Sequence, residues 1–234
     1  MKKFIAMLLV LVMAMSFAAC GASEPAFDPL QKAEGTMTYA EYAAAALESP
    51  VVVECFVQGN QSWWDNKITV YAQDPDGAYF LYEMACSEED AAKLVKGTKI
   101  KVTGYKAEWS GELEIIDSTF EILEGNWVAE AQDVTELLGS DELINHQNKF
   151  VSFKGLTVEN IEYKNGEPGD DIYVTFGYNG ASYDFCVERY LTGPETEVYA
   201  AVGALKAGDV VNEQGFLYWY NGANTHITSV TPAA

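Results

Sequence analysis

Seven side chains near turn signals have the chemistry of a recognition surface. They are Trp63, Trp64 and Trp109 in the first half of the chain, and Tyr218, Trp219, Tyr220 and Asn221 in the second. Indole and phenol rings offer a flat apolar face to a base or a sugar and keep a polar edge for hydrogen bonds. They fall in QGNQSWWDNK (58–67), YKAEWSGELE (105–114) and FLYWYNGAN (216–224), where turns make large rings harder to bury. The competing role is packing against their own fold, since aromatics are strong strand formers and tryptophan is usually largely buried.

Acid–base and metal chemistry find less support. His146 and His226 lack the spacing of a zinc site, and no HExxH, CxxC, GxSxG or P-loop pattern occurs. Asp74-Pro75-Asp76-Gly77 lacks the remaining positions of a calcium loop, and Glu88-Glu89-Asp90 reads as the acidic first turn of a helix. No catalytic set, metal site or cofactor is expected, and the chain is read as non-enzymatic.

Charge narrows the partners. Fourteen Lys and Arg stand against 35 Asp and Glu, a formal charge of −21 and a pI near 4.2. Such a charge disfavours partners bound through a general positive field, such as bulk duplex DNA or an anionic membrane surface. Its one basic cluster is Lys93, Lys96, Lys99, Lys101 and Lys106, which could contact a nucleic acid if the lysines line one strand face. More often such lysines are a solvated face or protect an edge strand.

Residues 1–19 read as an export signal: Lys2 and Lys3 precede an apolar run too short to span a membrane. Phe17-Ala18-Ala19-Cys20 resembles the lipobox of bacterial lipoproteins, although Phe17 replaces the usual aliphatic residue. That resemblance implies a lipid on Cys20 and an anchored protein on the extracytoplasmic face of the cell membrane. Residues 20–37 then read as a flexible tether. Beyond Cys20 an odd number of cysteines remains: Cys55, Cys86 and Cys186. A Cys55–Cys86 disulfide and buried free thiols both stay open.

Two stretches repeat. Gly97, Gly104 and Gly111 match Gly208, Gly215 and Gly222 at a constant offset, as do Tyr105/Phe216, Trp109/Tyr220, Ile116/Ile227 and Ser118/Ser229. The repeat divides the chain into a unit at 38–125, a linker at 126–132 and a unit at 133–231. Each unit carries about −10 of formal charge. The second has Val210, Asn212 and Leu217 where the first has Lys99, Lys101 and Lys106, so the basic cluster is not repeated.

Each unit opens with a short helical stretch, in the first capped by Thr38 with Glu41 and in the second VTELLGSDELINHQN (134–148). Three strands follow, with turns at Asp74–Gly77 and Asn179-Gly180, then a helix and a final hairpin. Three strands, a helix and two strands is the order of the five-stranded OB barrel. KVTGYKAEWSGELEIIDSTFEIL (101–123) resembles the last hairpin of the anticodon-binding-like OB domains attached to tRNA synthetases and polymerases.

The expectation is a mainly β protein of two tandem five-stranded OB-like barrels with short helices. With the signal, the chain resembles tandem OB-fold lipoproteins of Firmicutes. That resemblance implies a membrane-anchored binding module whose aromatic loops meet a glycan, a peptide or another envelope protein. Oligonucleotide binding and a purely structural spacer are the alternatives.

Overall fold

Thr38 opens the first helix as its sequence predicts. Its hydroxyl accepts the Glu41 N–H, and the Glu41 carboxylate accepts the Thr38 N–H, leading into α1 (Tyr39–Ala44). The computed structural model describes residues 27–233; the expected export signal and Cys20 lie outside the described residues. Next come β1 (Pro50–Asn60), β2 (Lys67–Gln73), β3 (Ala78–Ala85), α2 (Glu88–Ala91), β4 (Thr98–Trp109) and β5 (Glu112–Asn126). They close in the order β1-β2-β3-β5-β4, antiparallel except for β3 beside β5. This is the OB strand order.

The second unit repeats it. After β6 (Gln132–Asp133) and two 3₁₀ turns, Thr135–Leu137 and Leu143–His146, come β7 (Phe150–Tyr163), β8 (Ile172–Tyr178) and β9 (Ala181–Val187). Then follow α3 (Glu197–Gly203), β10 (Val210–Phe216) and β11 (His226–Pro232). β10 pairs with both β11 and β7, so β7 to β11 close in the cyclic order of the first barrel, with β9 and β11 again parallel. Each barrel has its own apolar core, the first built around Val53, Val70, Leu81 and Ile100, the second around Phe153, Val174, Phe185 and Ile227.

The repeat glycines keep their roles. Gly97 and Gly208 turn into the fourth strand with φ of 94° and 95°. Gly104 and Gly215 sit where the final strand crosses closely: a Cβ on either would lie 2.8 Å from the Ile116 carbonyl oxygen or 2.3 Å from that of His226. The final strands, however, are slipped by one. Tyr105 pairs with Ile116 whereas Phe216 pairs with His226, because the second hairpin is one residue shorter. Ile116 therefore corresponds to His226 and not to Ile227, and Ser118 to Thr228 and not to Ser229.

Three further expectations change. The helix expected over 134–148 is two 3₁₀ turns, interrupted where Gly139 takes φ +83°. The tether expected to be flexible lies on the first barrel from Phe27 onward. Phe27 packs edge-on against Phe56, Met37 bridges to Val53, and Lys32 pairs with Asp74, a carboxylate fully buried in the β2–β3 turn. Apolar contact and a buried counter-ion outweigh the Gly/Ala/Pro composition that suggested mobility. Cys55, Cys86 and Cys186 are all free and buried, so no Cys55–Cys86 disulfide forms. Burial pushes each thiol's pKa up, the behaviour of an inert core thiol.

Candidate functional site

Alternation along β2 and β3 turns Thr69, Tyr71, Gln73, Phe80 and Tyr82 away from the first core. In an OB barrel this is the face that takes ligands. Here the second barrel covers most of it. Tyr71 stacks on Phe216 with ring centroids 4.5 Å apart and planes at 15°, and Phe80 meets Tyr218 edge-on at 5.2 Å. Tyr218 stacks in turn on His226 at 4.4 Å, and Phe150 and Leu191 close the cluster. The Tyr71 hydroxyl hydrogen-bonds Nδ1 of His226, whose pKa burial lowers to about 3, so the ring is neutral.

Polar contacts fix the register of this seam. The Gln73 side-chain oxygen accepts the Phe150 N–H, and Gln147 and Asn148 donate to the carbonyls of Gly111 and Leu113. Glu112 accepts the Trp219 N–H at 2.8 Å, and the Asn221 N–H reaches the Ser110 carbonyl at 2.7 Å. Glu112 and Glu114 project from one face of β5 and are 0% and 6% exposed. Burial raises their pKa values to about 9 and about 7, so Glu112 enters the seam as a neutral acid at neutral pH.

The seven recognition candidates divide accordingly. Trp63 packs on the first core and donates its Nε1–H to the Cys86 carbonyl at 2.9 Å. Tyr218 and Trp219 are half-buried parts of the seam. These three are structural, a correction to their expected place on a ligand platform: Trp63 folds back onto its own barrel, and the turn that carries Tyr218 and Trp219 docks on the first barrel. Trp109 and Tyr220 remain exposed and pair at 5.3 Å across the two hairpins, while Asn221 takes φ +55° in the second hairpin turn. Trp64 stands out into solvent, 71% exposed.

The lysines do not form a strip. Lys99 is buried against Glu54 at 2.8 Å, and Lys106 is buried with its ammonium donating to the carbonyls of Tyr42, Ala43 and Ala45 at the end of α1. Lys93 pairs with Glu89 and Asp90 on α2, and Lys96 lies over the Phe150 ring. Lys101 alone stays on the wall of β4, half-buried. The alternating spacing that suggested one basic face holds for Lys99 and Lys101, but Lys99 serves a buried acid. Among the described residues, seven of the twelve cations are ion-paired. No cluster of three or more metal-type ligands occurs among them.

A cleft opens at the edge of the covered face. Trp64 and Tyr190 wall a cleft of about 310 Å³, with Lys67, Thr69 and Glu83 on β2 and β3 beneath. A tight turn holds Trp64: it exchanges backbone hydrogen bonds with Lys67 around Asp65 and Asn66, both at positive φ. Tyr190 comes from the second unit, where its carbonyl accepts the Ser62 N–H at 2.8 Å. Lys67 and Glu83 pair at 2.8 Å, and Glu83 itself takes φ +44° at a β2–β3 bulge. Nothing in the sequence marks Tyr190, which reads as a strand end; only docking of the barrels brings it to Trp64.

Neither a family model nor a curated protein matches the sequence. Solved structures similar to it include a murine DNA-binding protein bound to double-stranded DNA. That match has 14% identity and a TM-score of 0.37, and covers 80% of this chain and 97% of the other. The Ifi202 HINa domain in complex with 20 bp dsDNA shows 11% identity and a TM-score of 0.35, covering 80% and 98%. The p204 HINb domain shows 13% identity and 0.35, covering 79% and 98%. Similarity this low bears on neither ancestry nor ligand, and the OB assignment rests on strand order.

Proposed function

We propose that the chain is a non-enzymatic binding module, anchored outside the cell membrane by a lipid on Cys20, whose contact site is the Trp64–Tyr190 cleft. The observation that carries the reading is that cleft. The face an OB barrel normally offers is filled by the chain's own second barrel, yet two aromatic rings still stand exposed at its open edge. Apolar rings held in water by ordered turns cost solvation and contribute little to the fold, which is the signature of a surface kept for a partner. The lipid anchor rests on the residues around Cys20.

Nucleic acid is the second reading, since oligonucleotides are among the ligands that OB barrels take. Phosphate-tracking grooves need local Lys or Arg, and here most of them are committed to acids of the same chain. One titration tests both readings: tryptophan fluorescence of the soluble chain lacking residues 1–20, against neutral oligosaccharides, peptides, and single- and double-stranded DNA at low salt. The proposal expects a saturating change that is lost in Trp64→Ala and insensitive to salt. A response to DNA that fades steeply with salt and survives Trp64→Ala would put nucleic acid first.

A further inference from the structure

We propose that the Trp64–Tyr190 cleft takes a neutral pyranose saccharide, seated between the two rings and hydrogen-bonded from the β2–β3 floor. The inference rests on the binding-module reading and names its ligand class. Each alternative class meets a specific obstacle in the cleft. A peptide adding itself as a strand needs a free edge, but β2 is paired on both sides, to β1 and β3, in a closed barrel. A cationic ligand attracted to the rings meets a cation already there: Arg189 lies 5.0 Å from the Tyr190 ring centre. An anionic ligand meets a chain of formal charge −21, and the one lysine of the floor is neutralised by Glu83 at 2.8 Å.

What the cleft offers suits a neutral, polyhydroxylated ring. Trp64 and Tyr190, 71% and 53% exposed, present flat surfaces to the apolar C–H face of a pyranose. The Lys67–Glu83 pair supplies ammonium donors and carboxylate acceptors side by side, the arrangement that vicinal hydroxyls satisfy without changing net charge. Thr69 accepts the Glu83 N–H through its hydroxyl oxygen and so holds its own proton for an acceptor. The backbones that carry these groups are ordered before any ligand arrives: Trp64 by its turn, Tyr190 through the Ser62 N–H, and Glu83 in a left-handed conformation that a bulge sustains. At about 310 Å³ the cleft lies near the small end of ligand sites, ~300–1,000 Å³.

Saturation-transfer NMR on the soluble chain lacking residues 1–20 tests this, with chitotriose, maltotriose and cellotriose as probes and the Trp64 indole N–H signal as the protein readout. The expected result is saturation of ring-face C–H protons on at least one saccharide, a shift of the Trp64 signal, and about tenfold weaker binding in Trp64→Ala and in Tyr190→Ala. Both rings are exposed, so neither variant opens a core, and circular dichroism checks that each folds. If no saccharide responds while a peptide or oligonucleotide moves the Trp64 signal, the saccharide class falls and the cleft stands. If no probe moves that signal, both fall.

Discussion

The two barrels share strand order, parallel β3–β5 and β9–β11 contacts and the crossing glycines Gly104 and Gly215, yet their second and third strands present opposite outer faces. In the first barrel that face carries Tyr71 and Phe80 and is buried. In the second it carries Thr175, Ser182 and Asp184, with Thr175 donating to Asp184 and Ser182 to Glu159 in a solvated polar network. A duplicated fold preserves what closes the barrel, whereas the outer face is free to change. Here the face that OB barrels in general offer to ligands is, in the first barrel, the dock for its neighbour, and in the second it is acidic and wet. The tandem is therefore an asymmetric pair, with the Trp64–Tyr190 cleft at the edge of the covered face.

The largest effect should come from the seam. Phe216→Ala removes a nearly fully buried ring stacked on Tyr71, and large-to-small changes at such sites cost about 3–5 kcal/mol. Chemical denaturation should show that loss. It should also split one transition into two if the seam makes the barrels unfold together. The same substitution at an exposed aromatic of the second barrel, Tyr173→Ala, should leave the transition single.

The seam's acids add a pH dependence that the second barrel's open face lacks. Glu112 is held at about 9 in the fold against 4.5 for a free glutamate, so the folded state binds the extra proton. Nothing is lost below about pH 4.5, where both states are protonated; stability then falls as pH rises towards about 9 and levels off above it. The slope is at most about 1.4 kcal/mol per pH unit for one carboxyl, and Glu114, held at about 7, adds to it only up to that pH. Between pH 7 and 9 the loss should reach about 2 kcal/mol in thermal unfolding, and Glu112→Gln should flatten it. An unchanged slope in that variant would mean the seam hydrates its carboxylates.

How far the sequence discloses this asymmetry depends on the range of the interaction. Strand order, the Thr38 capping box, the turn at Asn179-Gly180 and the crossing glycines are local or repeated signals, and all are legible. Trp64 and Trp109 carry a turn signal in the sequence and stand exposed, each flanking a turn whose central residues take positive φ. Trp63 carries the same turn signal and is nonetheless committed to the Cys86 carbonyl, a partner 23 positions away. Lys106 looks like a solvated lysine and serves instead to satisfy three carbonyls at the end of α1. Tyr190 and the burial of Glu112 arise only when one barrel docks on the other, and no pattern within either unit encodes the docking.

Smaller effects test how closely the two units match. A methyl at Gly104 or Gly215 would meet backbone oxygen at 2.8 or 2.3 Å, contacts that neither strand can yield without shifting the crossing. Gly104→Ala and Gly215→Ala should each cost about 1–3 kcal/mol, the second more than the first. Equal thermal shifts would show that the tighter crossing of the second barrel relaxes.

The neighbouring tryptophans give the sharpest contrast and the smallest number. Trp63 is packed on a core and donates a hydrogen bond; Trp64, one residue later, projects into solvent. Trp63→Ala should cost about 3 kcal/mol, whereas Trp64→Ala should stay within about 0.5 kcal/mol of the parent. That near-zero value carries the functional argument, because a ring whose removal leaves stability unchanged is not retained for the fold. If denaturation instead shows that Trp64→Ala costs more than about 1 kcal/mol, the indole is bracing the turn at Asp65 and Asn66, and its exposure no longer points to a partner.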